Sequence, residues 1–386
     1  MGLVGTLEVF DFPQLATVKS LNLTLNQLHG SIPTSIAALF KLTSLDLSKN
    51  QINGFIPPSL GSMTKLRILD LSQNYLLGPI PRSLGNLAKL TILYIWGNQL
   101  SGSIPHEIGN LVNSKDLVFS HNQLTGSIPR SLGNLTMLEN MHLYSNKFTG
   151  AIPREIGKLT NMVDFEVCNN SLVGSIPSSL GNLTKLNYLY VWGNQLSSFI
   201  PHEIGNLVNL KDLVFSLNQL TGSIPRSLGN FDHELANITS LVKMRLDGNQ
   251  LKGDISNFGV YPNLVYIDLS FNRLSGMLSH RWGECYNLTS LKIFNNKLNG
   301  HVPLSIGQLL KLQLLDLSSN NLEGEIPREL GKSSQLYKLN LSNNLLSGEI
   351  PQEVGNLPNM ECLDLSANNL SGSIEGKIGG TQRLQF

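Results

Sequence analysis

The chain has 386 residues, of which 41% are hydrophobic and 14% charged, with 28 Lys and Arg against 27 Asp and Glu. This composition is typical of a folded protein, and the balanced charge argues against a nucleic-acid-binding surface or an acidic tail. No stretch approaches the ~18 apolar residues of a membrane-spanning helix. Cys168, Cys285 and Cys362 lie too far apart in sequence to form a zinc-binding pair or a dense disulfide framework. They are predicted to be small core residues.

An asparagine recurs in the pattern Leu-x-Leu-x-x-Asn-x-Leu along the whole chain. Its fifteen positions are Asn26, Asn50, Asn74, Asn98, Asn122, Asn146, Asn170, Asn194, Asn218, Asn249, Asn272, Asn296, Asn320, Asn344 and Asn368. Successive positions are 24 residues apart, except for one step of 31 residues after Asn218 and one of 23 after Asn249. A register held over so many turns identifies a repeat array. The sequence predicts an α/β solenoid of about fifteen repeats, forming one domain over residues 1–386.

Each repeat has three parts with different structural preferences. Residues 45–50 (LDLSKN) alternate leucine with polar residues, which predicts a short strand of a parallel sheet with one buried face. The asparagine that ends the strand can satisfy buried backbone groups through its amide, so the repeats should form an asparagine ladder. Residues 102–105 (GSIP) permit a bend and end the pairing. Residues 132–135 (LGNL) are predicted to return as a helical or 3₁₀ turn. Neighbouring repeats complete one another's core.

The array is irregular near residues 226–240. Seven extra residues lie near Phe231–Asn237, and we expect them to sit away from the sheet, which should continue unbroken. Both terminal caps that would cover the ends of such an array are absent from the sequence, so its ends are expected to fray or aggregate.

Side chains four and two positions before each repeat asparagine are predicted to point outward on the concave side of the sheet, a surface called here the open face. Five repeats carry Asp and Ser at these positions, for example Asp316 and Ser318. Repeats four to ten and repeat twelve depart from this background. The predicted ligand-binding residues are Tyr94, Trp96, His142, Tyr144, Glu166, Tyr190, Trp192, Lys243, Arg245, Asp247, Lys292 and Phe294. Aromatic residues on rigid strands suit peptide binding because they offer large contact area at small entropic cost.

One pair of aromatic residues has a second explanation. Residues 94–98 (YIWGN) recur as residues 190–194 (YVWGN), four repeats later. The copy continues to the irregular junction, which indicates a tandem duplication. Tyr190 and Trp192 are therefore either part of a binding surface or an inherited copy of Tyr94 and Trp96.

The repeat consensus and several longer segments carry a family resemblance. The pattern Asn-Gln-Leu-x-Gly-Ser-Ile-Pro with Leu-Gly-Asn-Leu resembles the plant-specific leucine-rich repeat. Residues 237–247, 258–264 and 281–285 resemble ectodomains of plant leucine-rich-repeat receptor-like kinases, specifically those of the male-discoverer-interacting receptor kinase type. The resemblance implies a plasma-membrane receptor for a secreted peptide or protein, acting in signalling or defence with a co-receptor kinase and through its own cytoplasmic Ser/Thr kinase. This sequence contains no signal peptide, membrane helix or kinase motif.

The resemblance also suggests roles for particular residues. Lys243 and Arg245 are similar to the basic pair with which related receptors hold a peptide's terminal carboxylate, although the first residue here is Lys. The ligand is expected to lie extended across repeats four to twelve. Eight Asn-x-Ser/Thr sequons are compatible with a secreted glycoprotein. They are Asn22, Asn134, Asn169, Asn182, Asn237, Asn287, Asn340 and Asn369.

No constellation for catalysis, a metal or a cofactor is predicted. His106-Glu107 and His202-Glu203 lack a second histidine at the zinc-protease spacing, and both follow Ile-Pro, so they are expected on the solvated surface. The first functional choice is the ligand-binding part of a receptor-like kinase. The alternatives are a kinase-free binding protein, such as a receptor-like protein or a glycanase inhibitor, and a truncated relic.

Overall fold

The computed structural model describes residues 2–228, 238–256 and 258–373. The chain divides into two compact units, Met1–Gln195 and Leu196–Phe386. Each unit is a stack of repeats, as the sequence predicts. Among the described residues, no helix has the length and apolar character that crossing a bilayer requires. The expectation of one domain over the whole chain stays a prediction.

A parallel sheet with one three-residue strand per repeat forms the main face of each unit. The strands of the first unit are Ser20–Asn22, Ser44–Asp46, Ile68–Asp70, Ile92–Tyr94, Asp116–Val118, Asn140–His142, Asp164–Glu166 and Tyr188–Tyr190. Those of the second unit are Asp212–Val214, Lys243–Arg245, Tyr266–Asp268, Ser290–Lys292, Leu314–Asp316, Lys338–Asn340 and Cys362–Asp364. Within the described residues, these strands account for all fifteen predicted repeats.

A second set of short strands follows the repeat asparagines, with one further member, Val4–Thr6, before the first of them. In the first unit they are Val4–Thr6, Gln27–Gly30, Gln51–Phe55, Tyr75–Gly78, Gln99–Gly102, Gln123–Leu124 and Val173–Gly174. In the second unit they are Gln195–Phe199, Gln219–Thr221, Lys252–Asp254, Arg273–Met277, Lys297–Asn299, Glu323–Glu325, Leu345–Gly348 and Asn369–Leu370, the first beginning at the boundary residue Gln195. Neighbouring members pair in parallel, for example Gln99–Gly102 with Tyr75–Gly78.

Most of the return segments are 3₁₀ helices, which confirms that part of the sequence prediction; residues 258–264 return as a turn without a helix. In the first unit they are Leu7–Val9, Phe12–Leu15, Thr34–Ala38, Pro58–Ser62, Arg82–Asn86, His106–Asn110, Arg130–Asn134, Arg154–Lys158 and Ser178–Asn182. In the second unit they are His202–Asn206, Arg226–Leu228, His280–Glu284, Leu304–Gln308 and Arg328–Lys332, with a short α-helix, Gln352–Gly355. The proline of most Ile-Pro pairs directly precedes the helix as its N-cap; Pro105, for example, is extended (φ −62°, ψ 142°) before His106–Asn110.

The asparagine ladder is confirmed by the hydrogen bonds of its members. The Asn146 amide donates to the carbonyls of Phe119 (3.0 Å), Leu143 (3.2 Å) and Tyr144 (3.3 Å). Its Oδ1 accepts from the backbone N–H of Leu124 at 3.0 Å. One side chain thus satisfies polar backbone groups of its own repeat and of the repeat before it, which is why the position requires an amide. The alternating leucines and isoleucines are buried around this ladder.

A glycine in most of the five-residue 3₁₀ helices is required by the close approach of the next repeat. A Cβ built on Gly133 would lie 2.5 Å from the carbonyl oxygen and 2.7 Å from the Cβ of Glu155. The same contact recurs where Gly109 meets Ser131 and where Gly157 meets Ser179. The glycine of the Leu-Gly-Asn-Leu motif therefore allows neighbouring helices to pack with their backbones in contact.

The sheet continues in register past the irregular junction. Asp212–Val214 pairs in parallel with Lys243–Arg245, although about thirty residues separate the two strands. This confirms the prediction that the sheet is unbroken there. The extra residues Phe231–Asn237 themselves, with the Asn237 sequon, lie outside the described residues.

Candidate functional site

The predicted site residues of the first unit lie in rows that cross the open face. Strand pairing aligns Tyr94, Val118, His142, Glu166 and Tyr190, one from each of five consecutive strands. With strands about 4.8 Å apart, this row covers about 19 Å, the length of about six extended peptide residues.

A second row lies two residues further along each strand. Its members are Trp96, Ser120, Tyr144, Cys168 and Trp192, which the backbone hydrogen bonds between repeats keep aligned. The two tryptophans therefore stand at the two ends of one row, with Tyr144 between them. All twelve predicted binding residues of the chain are part-exposed, so each has surface available for a ligand.

A third row, two residues before the first row on each strand, was not predicted from the sequence. It consists of Ile92, Asp116, Asn140, Asp164 and Tyr188. The sequence could have predicted this row, because side chains six, four and two positions before the repeat asparagine share one face of a strand. The third row adds two carboxylates and a tyrosine, and Asn140 donates a hydrogen bond to Asp116 Oδ1.

Three carboxylates from the first and third rows, those of Asp116, Asp164 and Glu166, lie near the His142 side chain. His142 Nε2 lies 3.1 Å from Asp164 Oδ2, and His142, Asp164 and Glu166 each offer a ligand atom within 4.8 Å of the others. Burial lowers the pKa of His142, but contact with Asp164 and the negative charges of Asp164, Glu166 and Asp116 outweigh it, so the pKa is raised. Burial also raises the pKa of the Glu166 carboxyl.

Cys168, beside this group, is an inert thiol in this environment. Burial, followed by the charge of Glu166, raises its pKa to about 12, so the thiolate that reacts is scarce at neutral pH. Cys168, Cys285 and Cys362 are all free thiols. The first two are buried, as predicted, whereas Cys362 is partly exposed, so the prediction of a core position is wrong for that residue.

The predicted site residues of the second unit form a basic group with internal partners. Arg245 makes two hydrogen bonds to the Asp247 carboxylate, each 3.1 Å long, and Ser216 Oγ donates to the same carboxylate at 2.6 Å. Lys292 Nζ lies 3.2 Å from the Tyr266 hydroxyl. Phe294 packs edge-on against Phe271, with ring centroids 4.9 Å apart. Lys243 lies on the same strand as Arg245 and forms no ion pair within the part of the chain that the structure describes.

In most of the repeats that carry Asp and Ser four and two positions before the asparagine, these two side chains hydrogen-bond within the repeat. Asp316 Oδ1 accepts hydrogen bonds from the backbone N–H of Ser318 at 3.2 Å and from its hydroxyl at 2.6 Å. Asp46 and Ser48 make the same pair of bonds. These bonds satisfy polar groups at the end of the strand. The repeats with Tyr and Trp at these positions lack that arrangement, so their aromatic residues are not explained by the needs of the repeat.

The remaining predicted residues lie at several places on the surface. Asn22, Asn134, Asn169, Asn182 and Asn369 are exposed, whereas Asn287 and Asn340 are partly buried. Asn287 Nδ2, the nitrogen to which a glycan would be attached, donates to the carbonyl of Pro262 at 2.9 Å. The His106 and His202 side chains are 77% and 82% exposed at the start of 3₁₀ helices, as expected.

Comparison with protein families identifies the repeats. A family model for a leucine-rich repeat region matches residues 98–298. Further leucine-rich repeat models match residues 16–76 and 41–100, and residues 311–333 and 335–357. No curated protein sequence matches the chain.

Solved structures similar to the chain include plant receptors. A TDR receptor structure is 35% identical, with a TM-score of 0.91, covering 100% of this chain and 65% of the receptor. The plant peptide hormone receptor RGFR1, in complex with RGF2, is 34% identical with a TM-score of 0.85, covering 98% of this chain and 63% of that one. The Arabidopsis receptor kinase HAESA, in complex with the peptide hormone IDA and the co-receptor SERK1, is 32% identical with a TM-score of 0.56, covering 99% and 79%. The chain thus spans just under two thirds of the first two receptors.

Proposed function

Because the chain belongs to the leucine-rich repeat family, we propose that its open face binds a secreted peptide in an extended conformation. One observation supports this proposal most directly: in the first unit, two aligned rows place Tyr94, Trp96, Tyr144, Tyr190 and Trp192 on a surface where other repeats carry self-bonded Asp and Ser. Large, rigid aromatic side chains are the residues that most often dominate binding energy at protein interfaces.

The second unit supplies the polar part of this proposal. Lys243 and Arg245 lie on one strand, two residues apart, and so share a face. Arg245 uses one donor of its Nε and one of its Nη2 for Asp247, which leaves three of the five guanidinium donors for a ligand. We propose that Lys243 and Arg245 bind the terminal carboxylate of the peptide by charge-assisted hydrogen bonds.

The cellular location and the partners of the chain are proposed from the similar structures. The RGFR1 and HAESA structures contain peptide ligands, and the HAESA structure also contains a co-receptor. We propose that the chain acts at the plant cell surface as the peptide-binding part of a receptor kinase that signals with a co-receptor. Membership of the male-discoverer-interacting receptor kinase group, glycosylation and a defence role are part of the same proposal.

The experiment that tests this proposal is a selection for ligands. The chain is presented to a library of extended peptides of about ten residues with free C-termini, and selected peptides are measured by calorimetry. The matched variant is Trp96→Ala with Trp192→Ala. We expect peptides that bind the parent chain and lose affinity for the variant. Peptides that bind both proteins equally well would contradict the proposed surface.

A further inference from the structure

His142, Asp164 and Glu166 form a compact group of metal-ligating atoms on the open face of the first unit. One ring nitrogen and two carboxylate oxygens lie within 4.8 Å of one another. Among residues 2–228, 238–256 and 258–373, this is the one group of three such side chains at that spacing. No linear motif predicts it, because the histidine and the carboxylates come from different repeats.

The backbone fixes the three side chains in place. His142 and Glu166 are direct partners across neighbouring strands, and Asp164 lies two residues before Glu166 on the same face. Both strands belong to the parallel sheet, and backbone hydrogen bonds extend from each repeat to the next. The ligand positions are therefore set by a rigid scaffold, which favours a metal site more than loops would.

Two atoms of the group have unmet bonding capacity. His142 Nε2 and Asp164 Oδ1 are closed to solvent, and neither has a hydrogen-bond partner within the described residues. Nε2 lies 3.1 Å from Asp164 Oδ2, a contact that is an ion pair when the imidazole is protonated. Buried polar atoms without partners are costly. A cation between the imidazole and the carboxylates would satisfy both atoms.

We propose that His142, Asp164 and Glu166 bind a divalent transition-metal ion, with Zn²⁺ as the representative case. A metal ion binds the neutral imidazole and would displace any proton held on His142. Two carboxylates with that neutral imidazole carry two negative charges, which a divalent cation would neutralise. Imidazole nitrogen with carboxylate oxygen is a donor set that suits Zn²⁺, whereas Mg²⁺ and Ca²⁺ prefer oxygen ligands alone.

Three protein ligands leave at least one coordination position open. The His142 and Asp164 side chains are 24% and 19% exposed on the open face. Water or a carbonyl or carboxylate oxygen of a bound molecule can take that position. Metal binding is a property separate from the proposed peptide binding, and it can be tested without a peptide. A failure to bind metal and a failure to bind peptide are therefore distinguishable results.

The experiment is zinc titration of the whole chain, without a histidine tag and after removal of metals by a chelator. Calorimetry measures binding of Zn²⁺, Mg²⁺ and Ca²⁺, and the visible absorption of Co²⁺ in the same site reports its coordination. The test variants are His142→Gln and Glu166→Gln. The matched control is His121→Gln. His121 is an exposed histidine of the neighbouring repeat, its ring centroid lies 5.1 Å from that of Tyr144, and it is not part of the metal-ligating group.

The expected result is one Zn²⁺ per chain, bound more tightly than Mg²⁺ or Ca²⁺, with at least ~10-fold weaker binding in both test variants. The control should bind like the parent chain, and circular dichroism should show that all variants are folded. If His142→Gln does not fold, Glu166→Gln alone carries the test. Absence of zinc binding, equal binding of Mg²⁺, unchanged affinity in a folded test variant, or equal loss in His121→Gln would overturn the proposal.

Discussion

The Arg245 guanidinium and the Asp247 carboxylate face each other through two hydrogen bonds, from Nε to Oδ1 and from Nη2 to Oδ2, each 3.1 Å long. Arg245 ends its strand and Asp247 follows two residues later, so a basic residue of the proposed carboxylate site is paired with an acidic neighbour. Asp247 neutralises part of the charge that would attract a peptide carboxylate.

We therefore expect Asp247→Asn to strengthen binding of a free-acid peptide. The variant removes a negative charge next to the ligand, and since the arginine is about a third exposed, we expect a gain of about three- to tenfold after solvent screening. Calorimetry with a peptide from the selection and with its C-terminal amide measures the effect. An equal gain for acid and amide would show that Asp247 does not act on the carboxylate.

Lys243→Ala should weaken binding of the free-acid peptide more than Arg245→Ala does. Lys243 has no ion pair among the described residues, so its whole charge is available to the ligand. Arg245 shares its charge with Asp247. The C-terminal amide should bind equally well to both variants and to the parent chain. A larger loss in Arg245→Ala would mean that the ligand displaces Asp247.

The variant Trp96→Ala with Trp192→Ala should weaken peptide binding by more than ~2 kcal/mol, the range of interface hot spots. Both side chains are part-exposed at the ends of one row. Asp316→Ala is the control: it should lower stability, because Asp316 holds Ser318 through two hydrogen bonds, yet leave affinity unchanged. Normal affinity in the double variant would mean that the second aromatic pair is only an inherited copy.

Asn146→Ala should lower the free energy of unfolding by about 1–3 kcal/mol, because it leaves buried backbone groups without partners. Four hydrogen bonds depend on this side chain. His106→Ala, at a 77% exposed side chain, should have almost no effect. Denaturant titration of the two variants measures the difference. Equal midpoints would contradict the role of the ladder.

Gly133→Ala should cost about 1–3 kcal/mol of stability through overpacking. The added methyl group would collide with the Glu155 backbone at 2.5 Å, and backbone cannot move aside as a flexible side chain can. Asn134→Ala, at the exposed next residue, is the matched control and should be nearly neutral. Thermal melts of both variants provide the measurement, and a neutral Gly133→Ala would show that the helices can separate without cost.

The repeat architecture could be predicted from the sequence because it depends on local and periodic features. The spacing of Asn146 from Asn122 and Asn170 established the period, and the alternation around each asparagine placed the strands and their buried face. The same alternation could have placed Asp164 on the open face, since it lies two residues before Glu166. The amide of Asn146 was assigned its role from its bonding capacity alone.

Only the tertiary structure decided which side chains meet. His142 contacts Asp164 because adjacent repeats align their strands with a fixed register, and that contact depends on side-chain directions that no spacing in one sequence specifies. Likewise, the sequence shows Arg245 and Asp247 on one face, but the two hydrogen bonds between them depend on how each side chain rotates. Periodicity determines where a residue stands on the array, whereas packing between repeats determines its partners.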